Sequence, residues 1–156
     1  MITCAFEDGG KASLRHVVVD TLVLKDNKIL LVKRADKLLE GGKWGLIGGF
    51  ADRDENLTQT VVREVFEETG YRISEIKLLT IRDNPDRPHE DRQNISFVFF
   101  CKAGEKEGTA DAESTSQEWF NLNDLPKEEE LAFDHYQDIQ LYLSYKNNNT
   151  LLPIIK

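Results

Sequence analysis

The chain has 156 residues, enough for one domain with its own apolar core, and its 40% hydrophobic and 31% charged residues make an ordinary globular composition. The formal net charge of −8 repels nucleic acid and anionic membranes at long range, so any anionic ligand needs a local cation, a metal or placed arginines. No apolar run approaches the ~20 residues needed to span a bilayer. Met1 to Lys11 also lacks the basic start and apolar stretch of a secretory signal.

Along the chain, Leu14 to Leu24 is rich in valine (Val17, Val18, Val19, Val23), Asp26 and Asn27 mark a turn, and Ile29 to Val32 is a second apolar run; together they predict a β-hairpin ending at Lys33 and Arg34. Gly41, Gly42, Gly45, Gly48 and Gly49 make Glu40 to Gly49 a loop system with a short strand around Trp44 to Ile47. Leu57 to Thr69 is the clearest helix, free of Gly and Pro, with Gly70 where a C-terminal cap belongs. Ile76 to Arg82 and Ile95 to Lys102 read as strands around a polar loop containing Pro85 and Pro88. A short strand around Trp119 and a helix over Asp134 to Tyr145 follow, and a mobile tail is expected from about residue 147. Without a regular βαβ alternation, the order predicts a single α+β domain over residues 1–156 with a mixed sheet. Cys4 and Cys101, far apart, with three histidines, do not make a zinc site and suit a reduced, cytoplasmic setting.

The predicted helix carries an unusual charge arrangement. On a wheel of ~100° per residue, Val61, Val62, Val65 and Phe66 share one side, with Glu64, Glu67 and Glu68 opposite. Glu64 and Glu68 are an i,i+4 like-charge pair, and Glu67 and Glu68 sit at the unfavourable end of the helix dipole. Spacing alone admits two readings: a solvated acidic face, or three carboxylates awaiting a divalent cation, since Mg2+ prefers oxygen ligands.

The stretch from Gly49 decides between them. Gly49, five residues, Glu55, seven residues, then Arg63-Glu64-Val65-Phe66-Glu67-Glu68-Thr69-Gly70-Tyr71 resembles the Nudix box, G-x5-E-x7-R-E-U-x-E-E-x-G-U, where U is bulky and apolar. Every charged and glycine position matches across residues 49–71; Tyr71 stands where the family usually has an aliphatic residue, and Ile47 replaces a common proline just before the box. The resemblance implies an α/β/α sandwich around a mixed β-sheet. It implies that Glu64, Glu67 and Glu68, with the Gly49 carbonyl, hold Mg2+ or Mn2+, and that Glu55 and Arg63 pair to brace the loop against the helix. Glu113, six residues before Trp119, resembles an outer metal-binding glutamate of mutator-type members; a solvated loop carboxylate is the alternative. Glu118, Glu90 and Glu128 to Glu130 are further candidates.

The activity so implied is metal-dependent hydrolysis of a pyrophosphate bond in a small-molecule nucleotide, with Glu64 or Glu113 taking the proton from the attacking water. Arg34, at a strand end, is a candidate phosphate contact, and Arg82, Arg87 and Arg92 could meet phosphate or ribose oxygens; ordinary exposed charge is the competing reading for each. Pro85 and Leu131-Ala132-Phe133-Asp134-His135 resemble marks of the ADP-ribose-cleaving branch. The expected reaction is therefore ADP-ribose to AMP and ribose 5-phosphate. The alternatives are hydrolysis of nucleoside triphosphates, oxidised ones included, and a non-catalytic ADP-ribose sensor. By analogy with relatives the chain is expected to be a homodimer, with no nucleic-acid or membrane partner.

Overall fold

A computed structural model describes residues 2–89, 92–109, 114–148 and 151–154. The elements in chain order are β1 (Ile2–Ala5), β2 (Lys11–Leu14), β3 (Val17–Lys25), β4 (Lys28–Arg34), β5 (Trp44–Gly45), α1 (Leu57–Thr69), β6 (Tyr71–Arg82), β7 (Ile95–Lys106), β8 (Ser114–Asn121) and α2 (His135–Asn148). β1 and β2 form a separate hairpin, an element for which the opening residues carried no clear pattern. The others build a six-stranded mixed sheet ordered β5-β4-β3-β7-β6, with β8 also pairing β4. The expected hairpin is β3–β4, and Asp26 takes the left-handed backbone of its turn (φ 55°). The sheet is mixed because β3 and β7 run parallel from Val17↔Ile95 to Leu24↔Lys102, while the β3–β4 and β6–β7 pairs are antiparallel.

Each face of the sheet buries one apolar set, as strand alternation requires. On one face Val19, Val23, Leu30, Val32 and Phe99 pack against Val61 and Val65 of α1. On the other, Leu22, Ile29, Leu31, Leu79 and Val98 pack against Ile139 of α2, with Leu141, Tyr142 and Tyr145 around it. This is the α/β/α sandwich. Among the described residues no helix is long and apolar enough to cross a membrane.

Two local expectations need correction. α2 continues to Asn148, and beyond it the expected mobile tail returns to the sheet: Ile154 N donates to Leu79 O at 2.8 Å, Thr80 Oγ1 donates to Ile154 O at 2.6 Å, and Leu152 and Ile154 join the α2-side core. On α1, Val62 is exposed, whereas Glu68 is only 7% exposed. The acidic side chains therefore do not all oppose the buried face; Glu64 and Glu68 lie at its margin, where α1 meets the glycine loop.

Candidate active site

β3 and β4 pair only near their turn, from Val23↔Leu30 to Lys25↔Lys28, and then diverge. The segment after β5 fills the gap. Thr21 N donates to Ile47 O at 2.7 Å, Val19 N to Gly49 O at 2.9 Å, and Ala51 N to Val17 O at 3.0 Å. This close approach explains the two glycines: a Cβ on Gly48 would overlap the Val19 carbonyl, and one on Gly49 would lie 2.7 Å from Glu64 Oε2.

α1 is set against this loop by its own termini. Asn56 Oδ1 accepts from Gln59 N at 3.0 Å and Gln59 Oε1 accepts from Asn56 N at 2.8 Å, a reciprocal cap for the first turn. At the other end Gly70, at φ 76°, donates its N–H to Phe66 O. Arg63 ties helix to loop. Its Nη2 donates to Glu55 Oε1 at 2.7 Å and to Phe50 O at 3.0 Å, and its Nε donates to Glu55 Oε2 at 3.2 Å. Glu55 in turn accepts from Asp52 N and Thr60 Oγ1. The Arg63 hydrogen bonds hold the Glu55 carboxyl down at about 2, overcoming the burial that would raise it. The same bonds raise the Arg63 guanidinium above its usual range.

The three box glutamates border one cleft of about 440 Å³, lined among others by Arg34, Gly48, Gly49, Glu64, Glu67, Glu68 and Phe133. Arg63 Nη1 bridges two of them, at 2.8 Å from Glu64 Oε1 and 3.2 Å from Glu67 Oε2. Glu68 Oε1 accepts from Gly48 N at 3.0 Å. Among the described residues no three His, Cys, Asp or Glu side chains stand at metal-binding spacing. The Gly49 carbonyl already accepts one bond from Val19 and keeps its second lone pair. Glu113 and Glu90 lie outside the described residues, and Glu118 pairs with Leu31 across β4–β8 rather than lining the cleft.

The arginines separate into two groups. Arg34 lines the cleft, with its Nε donating to Leu39 O at 2.9 Å and its guanidinium carbon 5.0 Å from the centre of the Phe133 ring. Arg92 also lines it, over Phe50. Arg82 and Arg87, expected at the substrate, are instead engaged by carboxylates. Both Nε and Nη2 of Arg82 lie 2.7 Å from Oδ1 of fully buried Asp138. Arg87, itself buried, reaches Asp20 Oδ2 at 3.0 Å and Asp134 Oδ1 at 2.6 Å. Neither arginine is among the described residues that line the cleft of the box glutamates.

Asp20, Asp134 and His135 escaped the sequence reading as a group. The signal was there in Asp20, the single charged residue in the valine-rich Val17 to Leu24 run. Burial would raise the Asp20 carboxyl, but Arg87, with help from His135 and Ser96, holds it well below the usual carboxylate range. His135 Nδ1 accepts from Leu46 N at 3.0 Å, which puts the ring proton on Nε2, 3.4 Å from Asp20 Oδ1. Nearby Asp138 has no such rescue at Oδ2, and burial pushes its carboxyl up to about 7 despite Arg82.

A loop braced onto a helix whose three glutamates border one cleft is the geometry expected from the box at residues 49–71. Comparison with known proteins agrees, because the NUDIX domain model matches residues 14–142. The chain belongs to the Nudix family. It is 42% identical over 133 residues to an ADP-ribose pyrophosphatase of Methanocaldococcus jannaschii, covering 84% of this chain and 75% of that one. Among solved structures it resembles the NUDIX domain of Shewanella oneidensis NrtR, complexed with ADP ribose, at a TM-score of 0.72 and 29% identity over 86% of this chain and 90% of that one. It also resembles a bifunctional NMN adenylyltransferase/ADP ribose pyrophosphatase of Francisella tularensis, complexed with AMP and a Mn ion. That match has a TM-score of 0.67 and 28% identity, over 85% of this chain and 43% of that one. The protein is thus a Nudix hydrolase of the ADP-ribose pyrophosphatase-like kind.

Proposed function

We propose that this Nudix hydrolase cleaves ADP-ribose to AMP and ribose 5-phosphate, with Mg2+ or Mn2+ held by Glu64, Glu67 and Glu68. The observation that carries the reading is that one cleft is lined by the three glutamates, Gly48 and Gly49, and also by Arg34 and Phe133. The 42% identity to an ADP-ribose pyrophosphatase supports the choice of substrate.

The donor set suits a hard divalent cation: three carboxylates from one helix, beside a glycine whose missing side chain leaves room at Glu64. Such an ion would neutralise phosphate oxygens and lower the pKa of a bound water. Arg63 holds Glu64 and Glu67, and its bonds to Glu55 and the Phe50 carbonyl would anchor it if those two carboxylates took up the ion. Glu68, buried and bonded to Gly48 N, keeps the loop at a constant distance from the helix. Arg34 supplies the fixed positive charge that an acidic protein needs for an anionic substrate. The proton from the attacking water goes to Glu64 or to Glu113. A homodimer belongs to the same reading, and exposed Ile2, Phe6 and Leu14 of the N-terminal hairpin are compatible with it; a monomer mass by light scattering would refute it.

A hydrolysis screen with excess Mg2+, repeated with EDTA, tests the proposal. It covers ADP-ribose, NADH, dinucleoside polyphosphates, and normal and oxidised nucleoside triphosphates. AMP formed preferentially from ADP-ribose, and abolished by EDTA, is the expected result. Pyrophosphate released from a triphosphate would replace ADP-ribose as the substrate, and ADP-ribose binding without turnover of any compound would make the protein a sensor.

A further inference from the structure

Phe133 has a backbone that its side chain does not favour. Its φ is 51°, in the left-handed region where a bulky residue without a local hydrogen-bonding side chain is a true outlier. The neighbours on both sides hold it there. Before it, Leu131 bridges to Trp44, and Ala132 N donates to Trp44 O at 2.8 Å. After it, Asp134 is gripped by Arg87 at 2.6 Å, and His135 accepts from Leu46 N at 3.0 Å while its Nε2 faces Asp20. Arg87 is bonded in turn to Asp20, which also accepts from Ser96. Backbone pairing to β5 and a buried ionic network in the sheet thus fix both flanks, and Phe133 between them turns into the cleft.

What the ring meets there is cationic. The guanidinium carbon of Arg34 lies 5.0 Å from the ring centre and that of Arg87 5.7 Å. Arg87 is committed to Asp20 and Asp134, whereas Arg34 lines the cleft. At the cleft its Nε also donates to the Leu39 carbonyl at 2.9 Å.

We propose that Phe133 is a positioning residue for anion binding: the Asp20–Arg87–Asp134–His135 network holds its ring so that the ring holds the Arg34 guanidinium toward the substrate's phosphates. The inference deepens the reading of this cleft as the nucleotide site. Its requirement is an aromatic face, since a ring quadrupole attracts a cation in a way an aliphatic side chain does not. Arg87, which is not among the described residues lining the cleft, lies 5.7 Å from the centre of the same ring.

The test is calorimetric binding of ADP-ribose in EDTA, where no turnover occurs, alongside Mn2+ affinity measured separately. Phe133→Leu and Arg34→Met should each weaken ADP-ribose binding by about five- to tenfold, the range of a partly desolvated cation–π contact and a phosphate contact. The double variant should lose no more than Arg34→Met alone, Phe133→Tyr should stay within about twofold of the parent, and Mn2+ affinity should not change. Phe133→Gly adopts the 51° φ without strain, so it should bind as weakly as Phe133→Leu while melting no lower than it. Unchanged binding in Phe133→Leu, additive losses in the double variant, failure of Phe133→Tyr to retain affinity, or a parallel loss of Mn2+ would each overturn the proposal. A parent protein that ignores ADP-ribose but binds a nucleoside triphosphate would sink the ADP-ribose reading alone; the same cycle, read with the triphosphate, then decides the role of Phe133. If the parent binds neither, both fall.

Discussion

Replacing Arg87 by methionine keeps much of the aliphatic stem but removes the charge that binds Asp20 and Asp134. The Arg87 side chain is 5% exposed and that of Asp20 13%, so water cannot readily take the place of the guanidinium. Breaking a buried ion pair by removing one partner typically costs ~3–5 kcal/mol. At ~2–4 °C per kcal/mol for a chain of this size, the melting temperature should fall by on the order of 10 °C. The loss should also depend on pH. In the parent, the Asp20 pKa is lowered below its ordinary 3.8, so its stabilisation is present above that value and is lost only as pH falls through the lower, folded-state value. In Arg87→Met, burial is no longer offset by Arg87, the folded carboxyl binds its proton more readily, and acid relieves the buried charge. Urea unfolding of both proteins at pH 7.5 and pH 4.5 checks this: the gap should be largest at the higher pH and shrink at the lower. A loss below ~1 kcal/mol at pH 7.5, the level of an exposed pair, would refute the reasoning, as would a gap independent of pH.

Three further outcomes follow from other parts of the structure. Asp138 has the opposite sign: its folded pKa, raised to about 7, means its contribution is full below 3.8 and lost as pH rises through about 7, so Asp138→Asn should flatten the parent's decline in urea midpoint between pH 5 and 8. An unchanged slope would show that Asp138 does not titrate there. Gly48→Ala should destabilise by ~1–3 kcal/mol and cut turnover, because its Cβ would meet the Val19 backbone, which cannot rotate aside; a thermal melt and a rate assay at parental values would contradict the close packing. Glu67→Gln and Glu68→Gln should each lower turnover by about 100-fold or more and weaken Mn2+ binding while the circular dichroism spectrum persists. Near-parental rates in both would remove them from the metal site. Of the two, Glu68→Gln should melt lower, since Glu68 is buried against Gly48 N whereas half of the Glu67 side chain is in solvent.

Features that local chemistry encodes are legible in the amino-acid order. The bounds of α1 were legible because a Gly/Pro-free run ends in Gly70, whose φ of 76° few other residues tolerate. The β3–β4 turn was legible in Asp26 and Asn27, and the glutamate pattern of the box in its spacing, since residues a few positions apart on a helix share a neighbourhood whatever surrounds them. What those elements meet depends on contacts between distant segments. The parallel pairing of β3 with β7 joins residues 78 apart in the chain, Val17 and Ile95, and no local pattern marks such a partner. That pairing, with α2 beside it, gathers Asp20, Arg87, Asp134 and His135 into one network, sets Arg82 against Asp138, and leaves Arg34 at the cleft. The loop that lies along β3 likewise puts Glu68 at a buried margin against Gly48 rather than on the expected outer face. A side chain's type and its place on a helix are local properties, but whether a charge faces water, ligand or a buried counter-ion depends on desolvation, and desolvation is set by segments distant in sequence.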